Sequence, residues 1–168
     1  MQIRLRSNGK VMFESELRSY LQANNGPSYD VLTEEVMEAV GVDPVLEGPQ
    51  ATGGTVYQYS QAAGVEQIDG KWYTKFILGP VFVDQPAEGE QPAQTAQEQE
   101  IAYKTQKDTE QAKTIRDERN TKLTESDWTQ VADAPVDKTA WATYRQALRD
   151  ISAQEGFPWT ITWPTQPE

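Results

Sequence analysis

From residue 95 to residue 134 the chain runs without a glycine or a proline, and large apolar side chains are scarce along the way. A helix that starts here meets no breaker, and Thr95 with Glu98 has the spacing of a capping box. Glu100 with Lys104 and Glu118 with Lys122 stand four apart in the favoured orientation, each worth about 0.2–0.5 kcal/mol. The apolar residues available to one face are Ile101, Ala112, Ile115 and Leu123. So thin a stripe buries little within its own chain. Carried through Leu123, the helix would span about 43 Å at 1.5 Å per residue. It is either a strut between modules or a surface laid against a partner, self-association included. One large core is therefore excluded, and small ordered regions must flank this segment.

On its N-terminal side the pattern is mixed. Ile3 and Leu5 alternate with polar neighbours, Asn8-Gly9 is a two-residue turn signal, and Val11-Met12-Phe13 completes a hairpin. A helical stripe of Phe13, Leu17, Tyr20 and Leu21 follows and stops at Asn24-Asn25-Gly26-Pro27. Thr33 caps a second helix with Glu34 and Glu35 in its first turn. Its stripe is Leu32, Val36 and Val40 with Met37 beside it, and Gly41 closes it ahead of Val42. Residues 44–54 form a bridge rich in proline and glycine. The period then becomes two: 55–59 reads as a strand, and 65–68, the turn Asp69-Gly70 and 71–78 read as a hairpin. Trp72, Thr74, Phe76 and Leu78 share one face of it, and Tyr73, Lys75 and Ile77 the other. Gly79-Pro80 closes or kinks the strand before Val81-Phe82-Val83. This predicts a small α+β module over residues 1–83. Residues 84–94 hold two prolines, a glycine and three acids with no large apolar side chain, the composition of a linker.

On the C-terminal side, residues 124–168 hold Trp128, Trp141, Trp159 and Trp163. A helix over about 138–154 puts Trp141, Tyr144, Leu148 and Ile151 on one stripe, with Asp137 as its N-cap and Gly156 as its stop. Residues 157–164 are proline-bounded and extended, and should fold back to cover the helix. The whole chain is thus α+β, arranged as a module (1–83), a linker (84–94), a long helix (95–123) and an aromatic helical module (124–168).

Charge and chemistry narrow the function. The net charge is −11, and no segment presents the dense basic stripe that phosphate neutralisation requires, so nucleic acid is a poor partner. Cysteine and histidine are both absent. With them go disulfides, thiolate metal sites, the usual general base near neutral pH and the commonest metal ligand. The pairs Glu34/Glu35 and Asp127/Asp133 have no glycine-rich phosphate cradle and no calcium loop around them, so capping and solubility account for them. Gly53-Gly54-Thr55 is a turn. No catalytic, cofactor-binding or metal-binding residue is predicted. No stretch approaches the roughly 20 apolar residues of a membrane span, and no signal peptide is evident, so a cytoplasmic protein is expected.

The order of motifs in the second half resembles a known family. Arg116-Asp117-Glu118-Arg119-Asn120 leads into Ser126-Asp127-Trp128-Thr129-Gln130 and Asp133-Ala134-Pro135. Trp141-Ala142-Thr143-Tyr144-Arg145-Gln146-Ala147-Leu148-Arg149-Asp150-Ile151 follows, closed by Gly156-Phe157-Pro158 and Trp163-Pro164. Together these resemble the C-terminal module of phage tail-fibre assembly chaperones and related tail assembly proteins, over about 50 residues. The first module is similar, less specifically, to an N-terminal domain of such proteins in Leu17-Arg18, Asn25 to Tyr29, Val40 to Val45 and Asp69-Gly70-Lys71-Trp72. Tyr29 departs from the Phe-Pro pair of that pattern.

The resemblance implies a non-enzymatic protein that helps a trimeric tail fibre or receptor-binding protein fold and assemble in the host cytoplasm. It implies either release or retention in the virion, at the fibre or baseplate. A permanent structural subunit is the alternative. An enzyme such as a glycan hydrolase needs two carboxylates across a cleft, for which such small modules have little room. Candidate partner-binding residues are Trp72, Trp128, Tyr144, Arg145, Arg149, Trp159 and Trp163, since aromatics and arginine anchor interfaces. The plainer accounts are that Trp141 and Leu148 are simply core, and that Arg145 and Arg149 form surface ion pairs with Asp150 or Asp137.

Overall fold

The computed structural model describes residues 1–168, which form two compact units, 1–81 and 82–168. The protein is α+β. In the first unit, β1 (Gln2–Leu5) and β2 (Val11–Phe13) form an antiparallel hairpin, followed by helices α1 (Glu14–Ala23) and α2 (Glu34–Val40). Strands β3 (Val42–Leu46), β4 (Tyr59–Ile68) and β5 (Lys71–Gly79) complete a five-stranded sheet in the order β2-β1-β3-β5-β4. Its core is aliphatic. Ile3, Leu5, Met12, Leu17, Leu21 and Val42 are buried together, with Tyr20, Tyr29, Leu32, Met37 and Val40 packed against them.

Local signals hold where short-range chemistry sets the backbone. Thr33 Oγ1 accepts from the Val36 N–H at 3.3 Å, and Gly41 ends α2 with φ of 70°. At the end of α1, Asn25 takes φ of 54°, and the Gly26 N–H reaches the Leu21 carbonyl at 2.7 Å. That is the Schellman pattern, which satisfies carbonyls the helix cannot pair itself. Asp69 and Gly70, both at positive φ, close the β4–β5 hairpin in the primed geometry that suits strand twist.

Several expectations are corrected. The first hairpin turns through four residues rather than two: the Leu5 N–H bonds the Lys10 carbonyl, and Gly9 takes the positive φ. Phe13 is 54% exposed, because it ends β2 ahead of α1 instead of joining the helix stripe. Strand β3 lies within what composition marks as a bridge. Its Pro44 is tolerated because β3 pairs with β5 only at Val45 and Leu46, so at Pro44 the strand has one neighbour, β1. Residues 55–58 are a turn, with Gln58 N–H bonded to the Thr55 carbonyl, and β4 starts at Tyr59. Strand β5 ends at Gly79, and residues 81–83 are not a strand.

In the second unit, residues 84–94 are exposed throughout but tied by a narrow backbone ladder, Gln85 opposite Gln94 and Glu88 opposite Gln91. Helix α3 (Ala96–Glu125) runs thirty residues, about 45 Å, and carries the expected capping box: Thr95 Oγ1 accepts from Glu98 N–H, and Glu98 accepts from Thr95 N–H at 2.8 Å. Both expected ion pairs form, Glu100–Lys104 at 2.6 Å and Glu118–Lys122 at 3.5 Å. Ala112 and Ile115 are buried, whereas Ile101 is exposed. A 3-10 turn (Asp127–Gln130) leads to α4 (Lys138–Arg149), N-capped by Asp137, which accepts from the Thr139 and Ala140 N–H groups. Helix α4 stops at Arg149 and passes into a second 3-10 turn (Asp150–Ala153), short of the Gly156 stop.

Candidate binding surface of the C-terminal unit

The end of α3 leaves carbonyl groups without helical partners. Arg145, projected from α4, fills that need. Its Nη1 donates to the Leu123 carbonyl and to Ser126 Oγ, both at 2.6 Å, and its Nη2 donates to Asp127 Oδ1 at 2.7 Å. A guanidinium at this position also opposes the negative end of the helix dipole. Ser126 Oγ donates in turn to the Lys122 carbonyl, and Thr129 Oγ1, fully buried, donates to the Ser126 carbonyl at 2.7 Å. This polar joint fastens α4 to the end of α3.

Around it the core is aromatic. Trp141, Tyr144 and Leu148 are buried together, with Leu123, Val136 and Trp163 against them. Trp141 and Tyr144 meet edge to face at 5.7 Å, a favourable quadrupole geometry. Ile151 is fully buried, as its place on the stripe requires.

The tail after α4 returns along α3 as well as α4. Lys122 lies 5.2 Å over the Trp163 ring and Arg116 lies 5.3 Å over Phe157. Trp159 Nε1 donates to Asp108 Oδ1 at 2.5 Å, across 51 residues of sequence. Gln154 clamps the returning strand by its side chain, donating to the Thr162 carbonyl and accepting from the Thr162 N–H. Gly156 permits the tight bend, since a Cβ there would lie 2.1 Å from the Thr160 carbonyl oxygen. The tail thus supplies cover for an α3 face that is polar by sequence.

These contacts sort the candidate residues. Tyr144 and Arg145 are buried, at 6% and 7% exposure, and work inside the module. Arg145 pairs with Asp127 rather than with Asp150 or Asp137, because its side chain turns toward the end of α3. Trp159 and Trp163 are half-buried under their own chain. Trp72, in the other unit, is half-buried beneath Arg4, whose guanidinium carbon sits 3.9 Å from the ring centre. Two residues remain at the surface. Trp128 is 52% exposed although one side of its ring meets Trp141 at 6.0 Å, and Arg149 is exposed without an ion pair.

Among Ser126, Asp127, Trp128 and Thr129, then, three side chains build the joint and the tryptophan faces outward. Residues 112–168 match a protein family described as phage tail assembly chaperone protein. The C-terminal module is similar to this family over that stretch, about a third of the chain. No curated protein and no solved structure matches the chain. Within the matching segment, Val131, 53% exposed just beyond Trp128, is a surface residue that sequence reasoning passed over. Its signal was available: an isolated valine in a polar run has no helical or strand stripe to join. Gln130 of the same turn shares an open groove with Thr143, Gln146 and Arg149 along the outer side of α4.

No cluster of acidic residues here could hold a metal ion, and no helix of the chain is long and apolar enough to cross a membrane. The carboxylates whose titration is displaced, Glu38, Glu98 and Glu110, are all shifted down by hydrogen bonds from neighbours.

Proposed function

We propose that this protein acts in phage tail assembly by binding the tail fibre, or receptor-binding, polypeptide while it folds and trimerises. The reading is supported by the family match over residues 112–168 and carried by one observation. A tryptophan in the heart of the family-matching segment is left half in solvent, although every polar neighbour in its motif is engaged. Exposed tryptophan and arginine are the side chains that most often anchor interfaces. Trp128 and Val131 form the apolar part of the contact, and Arg149 offers an unpaired cation at the rim.

A trimeric β-rich fibre folds slowly because its contacts are long-range or intermolecular, and its unpaired edges invite wrong association. A binder that covers apolar surface during this interval raises the yield of trimer. The test is coexpression with the fibre polypeptide of the same phage. Omitting this protein should sharply lower soluble trimer, and Trp128→Ala should do so while leaving its circular dichroism unchanged. Equal trimer without this protein would sink the proposal.

The second reading is a permanent virion subunit that bundles through α3, favoured by the 57% exposure of Ile101 on that helix. Stoichiometric presence in purified particles supports retention. Absence supports a chaperone that leaves.

A further inference from the structure

The N-terminal unit holds a pocket outside the family-matching segment, at the C-terminal end of α1. It has a volume of about 320 Å³ and is lined by Arg18 and Gln22 of α1 and by Gly26, Pro27, Ser28 and Tyr29 of the following loop. Its shape comes from the helix terminator already described. Gly26 passes so close to Leu21 that a Cβ would lie 2.8 Å from Leu21 Cδ2, and this close passage brings Pro27 to Tyr29 back beside Arg18 and Gln22.

Arg18 is held in a defined pose. Its Nη2 donates to the Asp30 carbonyl at 2.6 Å, and its guanidinium carbon lies 4.8 Å from the centre of the Tyr29 ring. No carboxylate of this chain pairs with it, whereas Arg4, Arg6 and Arg145 all have acidic partners. None of the six lining residues is acidic. A fixed, planar cation with spare donors, a polar rim of Gln22 and Ser28, and an apolar wall of Pro27 and Tyr29 make a site for one carboxylate on an otherwise uncharged segment.

We infer that this pocket binds an acidic side chain, aspartate or glutamate, presented by an extended segment of a partner polypeptide. The carboxylate meets Arg18 in the forked geometry that guanidinium favours, and the flanking backbone lies against Pro27 and Tyr29. A nucleic-acid phosphate fits less well, because a single arginine provides no stripe of charge to follow a phosphate backbone.

The experiment titrates the full chain with acetyl-Ala-Glu-Ala-amide and follows the Arg18 Nε–H and the Gly26, Ser28 and Tyr29 amide signals by NMR. Saturable shifts confined to these groups are expected, with acetyl-Ala-Gln-Ala-amide binding about tenfold more weakly or worse. Gln22→Glu, at an exposed helix position that leaves the fold intact, should abolish binding by placing a carboxylate beside Arg18. Arg18→Lys, which keeps the charge but loses the fork, should weaken it. Equal binding of the two peptides, binding that survives Gln22→Glu, or no shifts at the pocket would each overturn the inference. Inorganic phosphate shifting the same signals as strongly as the glutamyl peptide would also overturn it.

Discussion

The two units solve the problem of a small core in opposite ways. The first packs mainly aliphatic side chains from five elements, β1, β2, α1, α2 and the start of β3, around the fully buried Ile3, Leu17 and Val42. The second has few aliphatic residues, so it buries rings and completes them with a polar joint, Arg145 against Leu123, Ser126 and Asp127. An aliphatic core tolerates no polar guest and asks for none. An aromatic core built on a helix end must also dispose of that helix's unpaired carbonyls, and one buried arginine does so. The lesson is that an arginine in a segment rich in interface residue types is not thereby an interaction residue.

The largest effects test whether the units are as separate as their cores. Leu17→Ala and Leu148→Ala each empty a fully buried site and should cost about 2–5 kcal/mol. Amide exchange resolved by residue is the measurement. Leu17→Ala should speed exchange in residues 1–81 and leave α4 protected, and Leu148→Ala the reverse. If either substitution loosens both units equally, they unfold as one body and the contrast between them loses its meaning.

A middle-sized effect sharpens the contrast. Arg145→Met keeps the volume but strips donors from the Leu123 carbonyl and Ser126 Oγ, and should cost about 1–3 kcal/mol in urea unfolding followed by tryptophan fluorescence. Asp127→Asn removes only the charge of a carboxylate that is 63% exposed, and should cost no more than about 1 kcal/mol. Equal losses would mean that the ion pair, rather than the capping of α3, is what the arginine contributes. In the first unit Arg6 bridges Glu38 and Asp43 at the surface, and its replacement by methionine should leave the aliphatic core intact.

How much of this was legible depended on how far apart the interacting residues lie. Asp69-Gly70, Thr33 with Gly41, Thr95 with Glu98, and Asp137 are all short-range devices, and each is where its residue types require. The stripe of Trp141, Tyr144, Leu148 and Ile151 was also plain from its period. Strand β3 was not, because Pro44 argues against a strand unless one knows that β5 reaches only Val45 and Leu46. The run 55–59 alternates like a strand, yet Thr55 and Gln58 close a turn through their own side chains. In the candidate surface, Trp128, Tyr144 and Arg145 are alike in residue type as interface anchors, and only burial separates them. Nothing in the spacing of Arg145 and Ser126 announces a contact across 19 residues, still less that of Trp159 and Asp108 across 51.

The smallest effect concerns the helix starts, where the units differ in what holds the first turn. Helix α2 is seven residues long and starts on a single cap bond, Thr33 to the Val36 N–H, whereas α3 starts on a reciprocal capping box with Asp84 accepting from the Ala96 N–H beside it. Thr95→Ala should cost about 1 kcal/mol of local stability, read as faster amide exchange in the first turns of α3. The same box titrates. Glu98 is held below the ordinary glutamate value of 4.5, first by the Thr95 backbone N–H and then by the Thr95 hydroxyl. A depressed folded value means that its stabilisation is complete above the unfolded value and is lost as pH falls through the folded one. Carboxyl-carbon NMR should therefore give Glu98 a midpoint below 4.5. Thr95→Ala should raise that midpoint part of the way, since it removes the hydroxyl and keeps the backbone donor. An unmoved midpoint would mean that the hydroxyl bond contributes nothing. The start of α3 would then rest on the Glu98 bond to the Thr95 backbone and on Asp84.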